Sequence, residues 1–236
     1  MTITAKIICD SISSEGIRLT TMQLRYPRFI HSELMTHKVL SRNASSSRAI
    51  PVARMIQDLR RDPAMPVYWG SNKSGMQAGD ELDDITIEVC KRLWLKGMEV
   101  AIDRAQWLMN EGLHKQIANR ILEPWAHMNT IVTATQWNNL FALRSHKDAQ
   151  PEFKVLSDLM QQEMANSLPS VLQEDQWHLP YVLASDWVEI REYAKKNRIT
   201  RDEPQYEELA KLALMVSVAR CARVSYKTHD LSLIHI

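Results

Sequence analysis

The chain has 236 residues, of which 45% are hydrophobic and 24% charged, as is ordinary for a globular protein with one substantial core. Its 29 Lys and Arg residues nearly balance 28 Asp and Glu residues, which argues against a nucleic-acid coat, because that function needs a large cationic excess. No apolar run approaches the length of a membrane span, and no secretory signal opens the chain. The three dispersed cysteines fit a reducing compartment. We therefore expect a cytoplasmic protein without a membrane or nucleic-acid partner.

The first predicted elements are two strands and two short helices. Alternating apolar residues predict strands over 3–10 and 17–25, which the turn between them joins as an antiparallel hairpin. A short helix is expected over 29–40. A polar loop at 41–49 then leads to a second helix, which opens at Pro51 because proline suits a first helical turn.

The rest of the chain is predicted to be mainly helical. Residues 61–79 contain prolines and glycines and indicate a surface loop, after which a long amphipathic helix covers 80–110 and ends near Gly112. A β-branched run predicts a strand over 129–135. The remaining helices are expected at 114–122, 136–145, 152–167, 186–196 and 204–222. The predicted fold class is α+β, mostly helical with a small antiparallel sheet, in one domain over 1–230.

The last six residues, at 231–236, differ from the rest of the chain. They read Leu-Ser-Leu-Ile-His-Ile and match the translation of a common sequencing adapter. We interpret them as a non-native tail outside the domain. On this interpretation the natural protein continues beyond Asp230.

The most informative stretch, which we call the signature segment, covers residues 36–48 and reads Thr-His-Lys-Val-Leu-Ser-Arg-Asn-Ala-Ser-Ser-Ser-Arg. It supplies cationic donors from a His, a Lys and two Arg residues, and neutral donors from three consecutive serine hydroxyls. It leads into the helix at Pro51, whose N-terminal end favours anions, and Arg48 can hold a phosphate in a bidentate manner. The alternative interpretation is a solvated serine-rich turn.

The signature segment resembles that of flavin-dependent thymidylate synthases. The family pattern is Arg-His-Arg, a Ser three residues on, an Asn two further, and then Ser-any-Arg. Five residues stand in register with it: His37, Ser41, Asn43, Ser46 and Arg48. Thr36 and Lys38 replace the two flanking arginines, so one cation that approaches the flavin in the family is missing here.

Two later segments are similar to further motifs of that family. Residues 119–124 resemble Ala-Arg-x-x-Leu-Pro, in which the arginine, here Arg120, grips the nucleotide phosphate. Residues 139–152 resemble Asn-Phe-x-x-Leu-Arg…Ala-Gln-x-Glu, in which the arginine, here Arg144, contacts the pyrimidine. Taken alone, either arginine would be interpreted as a surface or salt-bridge residue. This chain departs from the family's usual residues at Glu33, Thr133, Thr135 and Asp148.

A fourth resemblance lies near the end of the chain. Residues 219–226 resemble the element Arg-x-x-Arg-Val-Ser-aromatic, which lies near the N-terminus in the family, so the chain resembles a permuted and C-terminally truncated, phage-type member. The resemblance implies that Ser225 contacts flavin. An amphipathic C-terminal helix is the alternative interpretation of 206–224.

The resemblance implies reductive methylation of dUMP to dTMP, with FAD as cofactor and with methylenetetrahydrofolate and NADPH as co-substrates. It also implies a homotetramer with shared active sites, in the cytoplasm of a bacterium or of a phage-infected host cell. Catalytic roles fall to Ser46 and Arg144, and no metal is implied. The implied substrate contacts are Glu33, Ser45, Ser46, Ser47, Arg48, Arg120 and Arg144. The implied flavin contacts are Thr36, His37, Lys38, Ser41, Asn43, Asn139 and Ser225.

Three alternatives stay open. An enzyme of the same scaffold could make another 5-substituted pyrimidine nucleotide, which the changed residues Thr36, Thr133 and Thr135 would suit. A non-catalytic nucleotide-binding or assembly protein could have kept the phosphate ligands without flavin. A helical nucleic-acid-binding module is the least favoured alternative, because the charge is near neutral.

Overall fold

A mixed sheet of five strands organises the molecule, for which a computed structural model describes residues 3–197 and 206–224. The strands are β1 (Thr4–Ile12), β2 (Arg18–Pro27), β3 (Ser41–Ala44), β4 (His127–Ala134) and β5 (Ser170–Val171). Their order in the sheet is β3-β4-β2-β1-β5. The predicted antiparallel arrangement is confirmed for the first four strands, including the β1–β2 hairpin, but β5 pairs parallel with β1 and makes the sheet mixed.

The helices surround this sheet, and together they confirm an α+β fold with a large helical share. They are α1 (His31–Thr36), α2 (Val52–Arg61), α3 (Asp84–Asn110), α4 (Lys115–Ala118), α5 (Asn138–Arg144), α6 (Pro151–Asn166), α7 (Ala184–Lys196) and α8 (Tyr206–Ala222). Short 3-10 segments occupy Arg28–Ile30 and Asn119–Trp125. The second of these shows that the helix predicted over 114–122 was only partly right, since the α-helical part ends at Ala118.

Two other predictions were wrong in part, for identifiable physical reasons. Residues 41–44 were predicted as loop but form β3, because they pair with β4 and non-local pairing overrides local composition. The long helix begins at residue 84 rather than 80, because the Asp83 side chain accepts the Thr86 amide at 3.0 Å as an N-cap. Its predicted end is confirmed, since Gly112 adopts φ +83° just beyond the last turn.

The apolar core lies in three clusters. The largest joins the inward face of the sheet to α1, α5 and α6, with Tyr26 and Phe153 among its fully buried side chains. The second joins α2 to α3 and the 3-10 segment, and it buries the predicted apolar face of α2. The third lies between α7 and α8. Among the described residues, no helix has the length and apolar composition to cross a bilayer.

The opposite face of the sheet is polar and partly covered by the chain that follows β5. Because side chains alternate along a strand, Gln23 and Arg25 of β2 lie on the face opposite Met22 and Leu24. Three hydrogen-bonded contacts join this face to the later chain: His178 to Ser11 and Thr21, Tyr181 to Gln23, and the carbonyl of Cys221 in α8 to Asn43. This polar face is where the candidate site is built.

Candidate functional site

Arg144, at the end of α5, contacts four side chains, and the longest of its hydrogen bonds runs from Nη2 to the exposed Thr36 Oγ1 at 3.4 Å. Its Nη1 donates to Glu33 Oε2 at 2.7 Å, and its Nε donates to His37 Nε2 at 2.9 Å. The guanidinium carbon lies 4.7 Å from the ring centroid of Phe153, in a cation–π arrangement. We call Glu33, His37, Arg144 and Phe153 the Arg144 cluster. It joins α1 to α5 and α6, and it brings together three of the predicted site residues.

The histidine of this cluster is kept neutral. Burial, followed by the charges of Arg144 and Arg42, lowers the pKa of His37. A neutral ring can accept the Arg144 hydrogen bond, which a protonated ring could not. Arg42 also fixes the turn after α1, because it donates to the carbonyls of Met35, His37 and Leu40. These bonds explain why α1 ends at Thr36, earlier than the sequence predicted.

A cavity of about 820 Å³ lies between the polar face of β2 and β4 and the helix α2. We call it the Ser45 cleft, because Ser45 and Ser47 of the signature segment line it. Four arginines and two aspartates are among the other lining residues: Arg25, Arg28, Arg54, Arg61, Asp58 and Asp62. A cleft with this charge balance and two serines suits a small anion.

Backbone and side-chain bonds fix the serines of the cleft. Ser45 donates its amide to the Asn129 carbonyl at 2.8 Å and accepts the Asn129 amide with its hydroxyl at 3.2 Å. Ser47 donates its hydroxyl to Glu123 Oε1 at 2.7 Å. The fully buried Asn119 donates to the carbonyls of Ser47 and Ile50, and so holds the turn that leads into α2.

Glu123 gathers the cations beside Ser47. Its Oε1 lies 3.0 Å from Arg28 Nη2 and 3.6 Å from Arg120 Nη1. The structure therefore brings the predicted phosphate contacts Ser47 and Arg120 to one carboxylate, together with Arg28. That carboxylate neutralises part of the cationic charge and orients the two guanidinium groups.

A second Arg–His pair lies in the cleft and was missed by sequence reasoning. Arg25 Nη2 donates to His127 Nδ1 at 3.0 Å, and Arg25 Nη1 pairs with Asp62 at 2.8 Å. Burial, followed by the charge of Arg25, lowers the pKa of His127 to about 4. The period-two alternation of β2 places Gln23 and Arg25 on one polar face, and that signal could have indicated these residues.

Most of the other residues predicted to contact substrate or flavin lie on the surface, and Asn43 among them is hydrogen-bonded to α8. Exposed side chains are those of Thr36, Lys38, Ser41, Asn43, Ser46, Arg48, Arg120 and Asn139. Asn43 donates to the Cys221 carbonyl at 2.8 Å, which places the end of α8 beside the signature segment. Ser225 lies outside the described residues.

The strand β3 separates the two groups of predicted residues. His37 precedes this strand and Ser45 follows it, and at about 3.3 Å per residue four strand residues span roughly 13 Å. One chain thus holds Glu33, His37 and Arg144 at one end of β3, and Ser45 and Ser47 at the other.

The donor set that the resemblance assigns to flavin is chemically suitable for it. Lys38, Ser41 and Asn139 offer an ammonium, a hydroxyl and an amide, which match phosphate oxygens and ring carbonyls. None of the described flavin contacts lines the Ser45 cleft, and all of them except the buried His37 are exposed in one chain. No group of three or more His, Cys, Asp or Glu side chains within 3–197 and 206–224 is placed to hold a metal ion.

The fold is similar to that of a methylase of known structure. The UMP/dUMP methylase PolB from Streptomyces cacaoi bound with 5-Br UMP matches with a TM-score of 0.60 and 18% identity, over 70% of this chain and 89% of that chain. The same methylase with 5-Br dUMP bound matches with a TM-score of 0.56 and 18% identity, over 70% of this chain and 90% of that chain. Thymidylate Synthase X from Helicobacter pylori with FAD and dUMP matches with a TM-score of 0.42 and 13% identity, over 62% of this chain and 67% of that chain.

The sequence itself identifies the family. The model of the family described as thymidylate synthase complementing protein matches residues 18–170. The chain belongs to this family, which confirms the resemblance drawn from the signature segment. The match begins at β2 and ends within β5, so α7 and α8 lie outside it. No curated protein sequence matches the chain.

Proposed function

We propose that this protein methylates C5 of dUMP to form dTMP, with FAD as its redox cofactor and with methylenetetrahydrofolate and NADPH as co-substrates. The observation that carries the proposal is the Ser45 cleft. Most of its lining lies within the segment that matches the family, including Ser45 and Ser47 of the signature segment, and it combines serine hydroxyls with four arginines.

The phosphate of dUMP is the part that this cleft suits best. Its negative charge needs donors that stay charged or fixed, and arginine forks meet phosphate oxygens in pairs. Ser45, Ser47 and Arg28 lie in the cleft lining. Ser46 and Arg48 are exposed beside Ser47 in the chain, and the exposed Arg120 lies beside Glu123. The Arg48 amide donates to the Ser46 hydroxyl at 3.3 Å, which makes this turn compact.

The pyrimidine ring requires a second contribution. In this proposal Arg144 polarises the uracil, where a fixed cation stabilises negative charge that develops on the ring. Because β3 separates Arg144 from the cleft of its own chain, Arg144 of one protomer serves the cleft of another. Glu33 and the neutral His37 hold its guanidinium in one orientation.

An exposed apolar side of α3 supports an assembly of several chains. Leu93, Val100 and Trp107 are exposed by 60%, 51% and 65%, and they recur every seven residues on the helix. That spacing is typical of helices that pack against partner helices. We propose that this side contributes to a homotetramer in which the active sites are shared.

When bound, the flavin supplies the hydride that the methylation consumes. Thr36, Lys38, Ser41 and Asn139 are exposed and would hold it, together with Asn43 at the junction with α8. The protein's own task is to orient the nucleotide, to exclude water and to keep Arg144 in place.

A direct test uses the purified protein. We expect a yellow protein with flavin absorbance that binds dUMP and oxidises NADPH only when both dUMP and the folate are present. A colourless protein that still binds dUMP would instead support the non-catalytic nucleotide-binding alternative. Failure to bind dUMP at all would contradict the proposal.

Shared sites can be tested by mixing two impaired variants. At dUMP concentrations far below saturation, we expect Ser47→Ala/Arg48→Ala chains and Arg144→Ala chains to turn over slowly alone and to regain part of the turnover when they are co-assembled. Recovery is expected because some mixed sites then combine an intact cleft with an intact Arg144. No recovery in co-purified mixed oligomers would show that both contributions come from one chain.

One observation favours a second candidate, methylation of UMP in addition to dUMP. Thr133 replaces a family flavin contact, and its hydroxyl is engaged with Thr21 at 2.7 Å. The structurally similar PolB is a UMP/dUMP methylase bound with 5-Br UMP. Equal turnover of UMP and dUMP would support this candidate, and strict dependence on dUMP would contradict it.

A further inference from the structure

Tyr181 and Gln23 meet on the wall of the Ser45 cleft. Both residues line it, and the Tyr181 hydroxyl donates to Gln23 Oε1 at 2.9 Å. Tyr181 belongs to the chain that follows β5, which lies outside the segment that matches the family. Gln23 lies in β2, within that segment. The pair thus joins the chain-specific C-terminal part to the family's sheet inside the cleft.

The backbone of Tyr181 is held in an unusual conformation. Its φ of +64° is in the left-handed region, which a bulky residue adopts only when its surroundings fix it. Those surroundings are Arg220, which donates to the Tyr181 carbonyl, and the buried ion pair that Arg220 makes with Asp186 at 2.9 Å. Such strained residues cluster at ligand clamps.

The hydrogen bond between the two side chains gives the Gln23 amide one direction. The Tyr181 hydroxyl donates to the amide oxygen of Gln23, Oε1. Burial raises the pKa of this hydroxyl, so it keeps the proton that it donates. The nitrogen, Nε2, is then the polar atom of Gln23 that can meet a ligand, and it can only donate.

The position of Gln23 along β2 matches the base of a nucleotide. Gln23 and Arg25 lie on the same face of β2, and Gln23 is the further of the two from Arg28 and Ser45. Two strand residues separate their positions by roughly 7 Å along the strand. A nucleotide whose phosphate lies beside Arg28 and Ser45 extends its sugar and base along the strand in this direction.

We propose that Gln23, oriented by Tyr181, selects uracil over cytosine by donating Nε2–H to the 4-keto oxygen. This inference rests on the proposed uridylate function. A cytosine presents an amino group at the same position, and its hydrogens oppose those of the amide. In this arrangement Gln23 is the specificity-determining residue and Tyr181 is its positioning residue.

The test is the ratio of dCMP to dUMP dissociation constants, measured by titration calorimetry on the full chain. Tyr181→Phe keeps the ring and removes the donor, so the amide can turn over, and the ratio is expected to fall about tenfold, the worth of one neutral hydrogen bond. Gln23→Glu replaces the donor by an acceptor of the same shape, and it is expected to reverse the preference toward dCMP. The added negative charge is expected to weaken the binding of dUMP and of dCMP by the same factor, so the ratio of their dissociation constants cancels this effect.

Controls separate this inference from the proposed function. Tyr193→Phe alters an exposed tyrosine of α7 and is expected to leave the ratio unchanged. If the wild type binds dUMP but Gln23→Glu leaves the ratio unchanged, this inference is overturned and the proposed function stands. If the wild type binds neither nucleotide, the proposed function falls and this inference falls with it.

Discussion

Two regions of this protein repeat one arrangement, in which a carboxylate and a neutral histidine flank an arginine. In the Arg144 cluster, Arg144 lies between Glu33 and His37. In the Ser45 cleft, Arg25 lies between Asp62 and His127. The surroundings differ, because Arg144 lies over the Phe153 ring whereas Arg25 lines an 820 Å³ cavity.

The difference teaches which arginine is fixed by packing and which lines a space for a ligand. A guanidinium that stacks on a core aromatic ring keeps one orientation, so it can be presented to another molecule as a rigid group. A guanidinium in a wide polar cleft can exchange an internal partner for a bound phosphate. We therefore expect substitutions in the first region to change turnover and those in the second to change affinity.

The largest effect is expected from Arg144→Ala. Removing one donor that stabilises developing charge typically costs about 10² to 10³ in kcat, and dUMP affinity should change far less. Steady-state turnover and equilibrium dUMP binding measure the two quantities separately. Arg191→Ala, which removes an exposed arginine of α7, is the matched control. An equal loss in affinity and turnover would remove the distinction between the two regions.

The second effect concerns pH and the histidine of the cleft. Burial lowers the pKa of His127 from 6.5 to about 4 in the folded protein, so the unfolded chain takes up the proton first and stability falls as pH drops from 6.5 toward 4. The full contribution is up to about 3 kcal/mol. His127→Gln should flatten this part of the profile of unfolding free energy in urea. A slope that is unchanged in His127→Gln would show that other groups set the acid sensitivity.

Arg48→Ala should have an intermediate effect on the cleft. Loss of one charged hydrogen bond to phosphate weakens binding by about 1 to 3 kcal/mol, while kcat at saturating dUMP should stay close to that of the wild type. Binding of dUMP measured by calorimetry gives the first value. Deoxyuridine, which lacks the phosphate, is the informative control ligand, since its affinity should not change. Unchanged affinity for dUMP would place the phosphate elsewhere.

The smallest effect is expected from Ser47→Ala. The substitution removes the 2.7 Å bond to Glu123 but leaves that carboxylate paired with Arg28, so we expect a loss of about 1 kcal/mol in dUMP affinity. Ser41→Ala removes an exposed hydroxyl outside the cleft, and as the control it is expected to leave the dUMP affinity unchanged. A loss as large as that of Arg48→Ala would mean that Ser47 contacts the phosphate directly.

Local patterns were enough to predict several parts of the fold. Alternation along 3–10 and 17–25 predicted the hairpin, and apolar spacing from Val52 to Leu59 predicted the buried face of α2. Gly112 marked the end of α3, because a left-handed residue there suits glycine. These features depend on neighbours within a few residues, so the sequence alone contains them.

Features set by distant contacts were not predictable in the same way. The strand β3 exists because of its pairing with β4, about ninety positions away, and its own residues read as loop. The signature segment indicated Ser45 and Arg48, and the resemblance of residues 139–152 indicated Arg144, but no local pattern showed that β3 would separate them. Arg25 and His127 became site residues only because α2 closes over the polar face of the sheet.

The third apolar cluster has a consequence for how the molecule opens. The pair α7 and α8 has a small core of its own and is joined to the sheet through hydrogen bonds of His178, Tyr181 and Asn43. Regions with their own core and a polar junction tend to exchange amide hydrogens as separate cooperative units. Because Tyr181 lines the cleft, each such opening would uncover a bound nucleotide, and nucleotide binding would in turn slow amide exchange throughout the helical pair.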